Sequence, residues 1–500
     1  MRAFAFVLLV PTVEALASSA GKGFGSPRTA TPPARKAVAK PSYGAFRAWA
    51  EKEGAKALVP LEIGEFAGER GVGATKTVEA GATILQVPAR ISLQVNTLSK
   101  PPRWFKDDEA WAASKWDHRL AMLLLHEDGD ASSELKPWLA QLPREFCTPA
   151  LMPGLLSTLD SLECFGPICK ATRAQRAEWD AARARAPGAP TQADFDWAMS
   201  VVRSRSFSGP FTPSTFVGSL TALFGAATLA LGYALFVGGA GAADTALNGL
   251  ESAVVFILLN DFVFGPRFTR AKRYVLCPWI DFLNHERAIS GAEVSYEYFA
   301  DAFSARLDFD AGAVAPGEQL LISYGPRNND VLLQYYGFVQ AANPHDTFQL
   351  EQERLILDID AVLEGGLPGD ALATLAAAKL TDASRVVELT GSGADKVGLR
   401  LARLLTHPAL ASRRAASALE AGIDPLPPAE EAQALRALAS AATMRQKALA
   451  DVASTGARGM PEMAGEPAYA SELLVAYLEE KCKVLGACAT ALEAQAARSA

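Results

Sequence analysis

The feature that most constrains this chain is a run of 38 residues, 206–243, that contains no charged side chain. It lies between two segments, 58–93 and 275–348, in which short apolar runs are broken by glycines and turns, a pattern typical of strands. Residues 104–206, and those beyond about 350, show helical periodicity instead. This order predicts an α+β domain whose β-rich part is divided in two, followed by a helical domain.

These changes of pattern divide the chain into five predicted segments. They are a presequence at 1–40, a first β-rich half at 41–206 with a helical insert at about 104–200, an apolar two-helix insert at 207–266, a second β-rich half at 267–348, and a helical domain at 349–500.

The first forty residues have the composition of a targeting segment. Arg2 precedes an apolar run at 3–11, and Ala15-Leu16-Ala17 fits a cleavage site for a signal peptide. Residues 18–40 are basic and rich in Ala, Ser, Thr and Pro, which is typical of a transit peptide. Together they predict a bipartite presequence for a secondary plastid (chloroplast). The alternative is a secretory signal with a disordered tail, but we would then expect the cysteines to be paired.

Composition excludes some classes of function. The net charge of -7 and the lack of a long basic block argue against a nucleic-acid partner. None of the six cysteines forms a CxxC pair, so we interpret them as reduced thiols rather than zinc ligands. The five histidines are too scattered to build a metal site on their own, and we predict no metal.

The uncharged run predicts a membrane hairpin. Residues 216–241 are long enough for the ~30 Å hydrocarbon core, and small residues recur every four positions, as on packed membrane helices. A second run, 246–264, is interrupted by Glu251 and Asp261. Basic residues flank the pair, as expected for a transmembrane helix pair anchored through 216–264. The alternative is a soluble apolar hairpin that packs on the enzyme or on a partner.

Two short segments in the first half carry residues suited to ligand binding. Glu69-Arg70-Gly71-Val72-Gly73 contains a Gly-x-Gly turn, which lets the backbone approach a ligand closely. The third glycine and the following helix of a dinucleotide site are missing. Arg205, at a predicted helix end, can bind a carboxylate through its planar fork.

Two further segments lie in the second half. Asp281, Asn284 and His285 directly follow an apolar run, and buried polar groups there need hydrogen-bond partners. The turn at Pro316-Gly317 leads into a strand that ends at Tyr324, next to a glycine.

The four segments together resemble the SET domain, in particular the subclass typified by the plant Rubisco large-subunit lysine methyltransferase. The resemblance covers about residues 60–350 and rests on the Asn284-His285 pair and on the Gly-Glu-Gln…Tyr-Gly…Tyr-Gly-Phe pattern from Gly317 to Phe338. It implies an α+β SET domain of small β-sheets, joined by a pseudoknot-like threading, with a helical insert and a C-terminal all-α domain. The helical tail fits the family's substrate-binding domain more loosely.

The resemblance also implies a cofactor site for S-adenosyl-L-methionine. Arg70, Gly71 and Val72 match the segment whose backbone groups hold the methionine part of the cofactor. Asn284 and His285 match the pair that binds the adenine.

The same resemblance assigns the substrate site. Arg205 matches an arginine that contacts both cofactor and substrate, while Asp281 and Tyr296 match positions in the substrate pocket. Tyr336 matches a tyrosine of the lysine channel, and Tyr324 matches the catalytic tyrosine nearest to the transferred methyl. A second substrate arginine of the family, shortly after Arg205, has no counterpart here.

The function implied is that of a protein-lysine N-methyltransferase acting on a plastid protein, with the Rubisco large subunit and plastid aldolase as the substrates that the family indicates. Two alternatives stay open. One is a non-catalytic SET-fold scaffold that binds a partner protein, and the other is an enzyme of the same subclass that methylates histidine. The presence of Tyr324, Asn284 and His285 favours an enzyme.

Overall fold

A computed structural model of the chain describes residues 43–66, 68–96, 99–209, 216–237, 241–259, 272–285, 292–309, 312–367, 385–406, 426–455, 460–463 and 465–499. The predicted presequence at 1–40 lies outside these residues.

The described residues form helices and short strands. The helices are α1 (Tyr43–Lys52), α2 (Asp108–Ala113), α3 (Trp116–Gly129), α4 (Lys136–Leu139), α5 (Pro153–Ser161), α6 (Gly166–Arg185), α7 (Gln192–Arg205), α8 (Phe216–Val237), α9 (Ala242–Leu259), α10 (Asn329–Tyr336), α11 (Gln352–Val362), α12 (Lys396–Thr406), α13 (Pro428–Thr455) and α14 (Ala468–Ser499). The strands are β1 (Lys56–Ala57), β2 (Leu61–Phe66), β3 (Glu69–Ala74), β4 (Thr83–Pro88), β5 (Leu93–Asn96), β6 (Phe207–Gly209), β7 (Arg273–Leu276), β8 (Asn284–His285), β9 (Ala292–Glu297), β10 (Ala302–Leu307), β11 (Gln319–Ile322), β12 (Thr347–Glu351), β13 (Val386–Thr390) and β14 (Gly393–Ala394).

Strands from both halves of the chain form one sheet. Within the described residues its order is β1-β4-β10-β9-β11-β3-β2, with β8 also paired to β11. Strand β11 is antiparallel to β3 and parallel to β8 and β9. Two smaller sheets have the orders β5-β7-β6 and β12-β13-β14. This mixture of small sheets and helices agrees with the predicted α+β class, while the pseudoknot-like threading stays a prediction.

Buried apolar side chains form two large clusters. The first packs the main sheet against α1, α3 and α7, and includes Phe46, Leu120, Val202 and Phe303. The second joins α5 and α6 to β12, β13 and helices α11–α14. The C-terminal region is therefore mostly helical, but β12 crosses the predicted boundary at 348/349 and pairs with β13.

The predicted membrane hairpin is wrong. Helices α8 and α9 pack against each other, but among the described residues no helix is long and apolar enough to cross a membrane. Half of the residues of α8 are Gly, Ala, Ser or Thr, and α9 carries Asp244 and Glu251. A charged side chain inside a membrane segment is costly. Small residues bury little apolar surface, so a helix without charges is not hydrophobic for that reason alone. Residues 260–264 of the second predicted span lie outside the described part of the chain.

Candidate active site

Strand β11 brings two distant sequence motifs together. Gln319 and Leu320 pair with Gly73 and Val72 of β3, and Leu321 and Ile322 pair with Asn284 and His285 of β8. The first motif and the Asn-His motif, more than 200 residues apart in sequence, therefore flank one four-residue strand. We call this meeting point of β3, β8 and β11 the junction. Both motifs that are predicted to bind the cofactor lie there.

The glycines of β3 permit a close approach of neighbouring side chains. A Cβ atom added at Gly71 would lie 2.9 Å from Phe66 Cδ2 and 2.9 Å from Gln319 Cδ. A Cβ at Gly73 would lie 2.9 Å from Phe66 Cε1 and 3.4 Å from the carbonyl oxygen of Glu318. Because these separations leave no room for a methyl group, the Gly-x-Gly sequence is a packing requirement of the junction.

Side-chain hydrogen bonds connect the motifs. The Asn284 Nδ2 amide donates to the Arg70 carbonyl oxygen at 2.8 Å, which ties β8 to β3. His285 Nδ1 accepts the backbone N–H of Tyr324 at 3.1 Å, and its Nε2 lies 3.2 Å from Gln340 Oε1. The Asn-His pair therefore positions both the Gly-x-Gly segment and the predicted catalytic tyrosine.

Tyr324 and Tyr336 form a stacked pair beside the histidine. Their ring centroids are 5.1 Å apart, and the Tyr324 ring is 5.0 Å from the His285 ring. The Tyr324 hydroxyl donates to the Leu283 carbonyl oxygen at 3.2 Å, which leaves its oxygen lone pairs available as acceptors. Burial raises the pKa of both phenols, so both are neutral at physiological pH.

Helix α10 holds Tyr336 at its last position. The Asn328 side chain accepts the N–H of Val331 at 3.0 Å and caps the helix N-terminus. Gly337 ends the helix with φ of 74°, a left-handed conformation for which glycine is suited. A Cβ there would also meet the carbonyl group of Cys147. The Tyr-Gly-Phe part of the sequence motif thus marks the C-terminal end of one short helix.

A buried charge cluster beside the junction consists of Arg70, Asp281 and Arg205. Arg205 Nη1 donates to the Asp281 carbonyl oxygen at 2.7 Å, and Arg70 Nη2 lies 4.0 Å from Asp281 Oδ2. The Arg70 guanidinium also lies 3.7 Å from the centroid of the Phe282 ring. Burial lowers the pKa of Arg70 to about 10, with a smaller contribution from Arg205. Burial raises the pKa of Asp281, against the opposing influence of the two arginines.

The turn that presents Asp281 is strained. Trp279, a fully buried residue, has φ of 71°, which bulky side chains rarely adopt. It immediately precedes the 3-10 turn Ile280–Phe282 that contains Asp281. Strained backbone of this kind is concentrated at functional sites, where the surrounding structure holds it in place.

Several buried polar atoms at the junction find no hydrogen-bond partner among the described residues. They are Arg70 Nε, Arg205 Nε, Asp281 Oδ1 and Gln319 Nε2. Buried polar atoms are usually paired, so these atoms fit a ligand that brings both acceptors and donors. The carboxylate and ammonium groups of an amino acid, as in the methionine part of S-adenosylmethionine, have this character.

Tyr296 differs from the other predicted site residues. Its hydroxyl donates to Asp301 Oδ1 at 2.6 Å, and its ring packs against Phe303. The guanidinium of Arg273 lies 5.3 Å from the ring centroid. These contacts group Tyr296 with the β9–β10 hairpin, and its role in a substrate pocket stays a prediction.

Several residues that support the site are not predicted from the sequence. Gln340 contacts His285, Trp138 Nε1 donates to Asp281 Oδ2 at 3.3 Å, and the carbonyl oxygen of Gln141 accepts from Arg70 Nη1. Trp138 and Gln141 belong to the helical insert, far from the motifs in sequence. A tryptophan followed closely by a glutamine in a helical segment carries no local signal for such contacts.

Comparison with known proteins identifies the fold. No family model matches the chain, and a search of curated proteins found no match. Among solved structures, Rubisco LSMT bound to sinefungin and monomethyllysine matches with 17% identity, 92% of each chain covered and a TM-score of 0.51. The SET domain of LSMT bound to lysine and AdoHcy matches with 16% identity over 92% of this chain and 93% of the other, also at 0.51. Rubisco LSMT bound to AdoMet matches with 16% identity, 92% of each chain covered and a TM-score of 0.50. The chain therefore has the fold of the Rubisco LSMT SET-domain methyltransferases, as the sequence motifs predicted.

Proposed function

We propose that this protein is an S-adenosylmethionine-dependent protein-lysine N-methyltransferase. The observation that carries the proposal is the convergence of three segments, Arg70–Gly73, Asn284–His285 and Tyr324, through β11 and the Asn284–Arg70 hydrogen bond. Structures with the same fold have been solved with AdoMet, AdoHcy, lysine and methyllysine bound.

The cofactor site would lie along the edge of the junction. Backbone groups of Arg70, Gly71 and Val72 would hold the methionine part, while Asn284 and His285 would hold the adenine. When bound, S-adenosylmethionine supplies a methyl group on a positively charged sulfur. The unpaired N–H donors Arg205 Nε and Gln319 Nε2 are available to bind its carboxylate group.

The tyrosine pair is suited to orienting an amine. A lysine has a pKa of about 10.4 and is mostly protonated in water, but an apolar channel disfavours its charged form. Because the Tyr324 hydroxyl hydrogen is directed to Leu283, the phenol oxygen can accept a hydrogen bond from the amine. Its lone pairs can also accept weak C–H···O contacts from a polarised methyl. Tyr336 would line the same channel through its stacking on Tyr324.

The compartment and the substrate are part of the proposal. The composition of residues 1–40 supports import into a plastid, and the subclass supports the Rubisco large subunit or plastid aldolase as the methylated protein. The buried charge cluster of Asp281 and Arg205 would contribute to the substrate side of the site.

The test is to incubate the purified protein with S-adenosylmethionine carrying a labelled methyl group and a plastid lysate, and then to map the label by mass spectrometry. We expect label on a lysine Nζ of a plastid protein. Label on a histidine ring would identify a histidine methyltransferase instead. A protein that binds the cofactor but transfers no label to any plastid protein would support the scaffold alternative.

A further inference from the structure

A second group of chemically reactive side chains lies away from the junction, at the start of α3. Asp117 and His118 occupy the first turn of α3, and Glu178 faces them from α6. One ligand atom from each of the three lies within 4.8 Å of the others. His118 Nε2 is 3.1 Å from Glu178 Oε1 and 3.9 Å from Asp117 Oδ1.

The His118 ring is buried without a hydrogen bond. Its side chain is only 3% exposed, and neither ring nitrogen makes a well-formed hydrogen bond to any described residue. An imidazole removed from water in this way normally has a partner for each nitrogen. A cation between Nε2 and the two carboxylates would provide one.

The two carboxylates are already oriented for this purpose. Lys115 Nζ binds the outer oxygen of Glu178, Oε2, at 2.7 Å, and Arg203 Nη1 binds the outer oxygen of Asp117, Oδ2, at 3.2 Å. Each acid therefore keeps its other oxygen, Oε1 or Oδ1, on the side of His118. Carboxylates that bind metals are commonly hydrogen-bonded themselves, and these hydrogen bonds fix the orientation of the ligand.

We propose that Asp117, His118 and Glu178 bind a divalent transition-metal ion, with zinc as the ion that best suits one imidazole and two carboxylates. Zinc binds His nitrogen and carboxylate oxygen at about 2.0–2.2 Å, so ligand atoms of one tetrahedral site lie roughly 3–4 Å apart, and His118 Nε2 lies at such distances from both carboxylate oxygens. A fourth position would be left for water. The scattered histidines do not reveal such a site in the sequence because Asp117 and Glu178 supply the other ligands.

The location of the site indicates a structural role. The ligands join α3 to α6, and Arg203 connects them to α7 two residues before Arg205. Arg205 in turn donates to the backbone of Asp281 at the junction. A bound ion would therefore brace the helices that position Arg205, and it would take no part in methyl transfer.

The test measures zinc that stays bound to the purified full-length protein after dialysis against metal-free buffer, with elemental mass spectrometry as the readout. The variants are His118→Gln and Glu178→Gln, and the matched control is His126→Gln, which alters a histidine of the same helix that stacks on Trp104. We expect about one zinc per chain in the wild type and control, and at least a roughly tenfold lower content in both ligand variants.

Cobalt substitution provides an independent readout. Cobalt added to the apoprotein should give the visible absorption of a tetrahedral site in the wild type but not in Glu178→Gln. Glu178 is 36% exposed, so its replacement should leave the fold intact even if His118→Gln does not fold. Wild-type protein that retains no more zinc than Glu178→Gln, and shows no cobalt spectrum, would overturn the proposal.

Discussion

Tyr324 is held at three points, which fix the direction of its hydroxyl. Its backbone N–H donates to His285, its hydroxyl donates to Leu283, and its ring stacks on Tyr336. A change of Tyr324 to Phe removes only the hydroxyl and leaves the ring stacking. We expect turnover to fall by about 100-fold, since loss of the group that orients an amine misaligns the acceptor. Cofactor affinity should change little.

A matched control distinguishes a role in catalysis from a general effect of losing a phenol. Tyr274→Phe makes the same chemical change on β7, where the ring stacks on Trp116. Its turnover should equal that of the wild type in the same labelled-methyl assay. Wild-type turnover in Tyr324→Phe would remove Tyr324 from the mechanism.

The buried tyrosine also predicts a dependence of stability on pH. The ordinary pKa of tyrosine is about 10, and burial raises the pKa of Tyr324 above this value. The folded protein therefore keeps a proton that the unfolded chain loses, so the free energy of unfolding should fall as the pH rises above about 10. Tyr324→Phe should show a smaller fall than the wild type in denaturant titrations. An equal fall in the two proteins would show that the Tyr324 phenol ionises normally.

At the scale of elements, the separation between β3 and its neighbours depends on glycine. Gly73→Ala places a methyl group against the Phe66 ring, 2.9 Å from its Cε1 atom, and 3.4 Å from the Glu318 carbonyl oxygen. We expect a loss of about 1–3 kcal/mol in the free energy of unfolding, because the strand must shift. Gly129→Ala is the control, since its Cβ would meet nothing within 4 Å at the end of α3. Equal stabilities of the two variants, measured by chemical denaturation, would contradict the close packing of β3.

The elements also show where sequence reasoning succeeds and where it fails. The proximity of Asn284 and His285 to Tyr324 agrees with two short, specific motifs that are separated in sequence, while their roles in binding and catalysis stay predictions. The contacts of Gln340 and Trp138 could not be predicted, because they depend on packing between segments that are distant in sequence. The apolar run, the spacing of its small residues and its basic flanks predict a membrane hairpin, but among the described residues neither α8 nor α9 is long and apolar enough to cross a membrane.

At the scale of the whole molecule, a buried ion network joins α14 to the segment that follows the active-site strand. Lys481 is 1% exposed, and its Nζ lies 2.7 Å from Asp330 Oδ1 and 2.8 Å from Asp346 Oδ1. Asp330 belongs to α10, the helix that ends at Tyr336, and it also accepts the hydroxyl of Tyr477 at 2.5 Å. Helix α14 therefore contacts the helix that ends at Tyr336.

Removal of Lys481 should weaken the packing of α14 against α10 and lower the stability of the protein. Lys481→Met leaves two buried carboxylates without their cation, so we expect a loss of about 3–5 kcal/mol in the free energy of unfolding. Lys483→Met is the control, because that side chain is 62% exposed and its pair with Glu480 should contribute less than about 1 kcal/mol. Similar losses in both variants, measured by denaturant unfolding, would contradict the assigned role of the buried network.

The central claim is that the junction of β3, β8 and β11 forms the S-adenosylmethionine site, and calorimetric titration of the purified protein with this compound tests it most directly. We predict one bound molecule per chain. Asn284→Ala and His285→Ala should each weaken binding by about tenfold or more, since each leaves polar groups unpaired. Asn248→Ala, an exposed asparagine on α9, should bind as the wild type does. The absence of binding to the wild type, or unchanged affinity in both junction variants, would contradict the account.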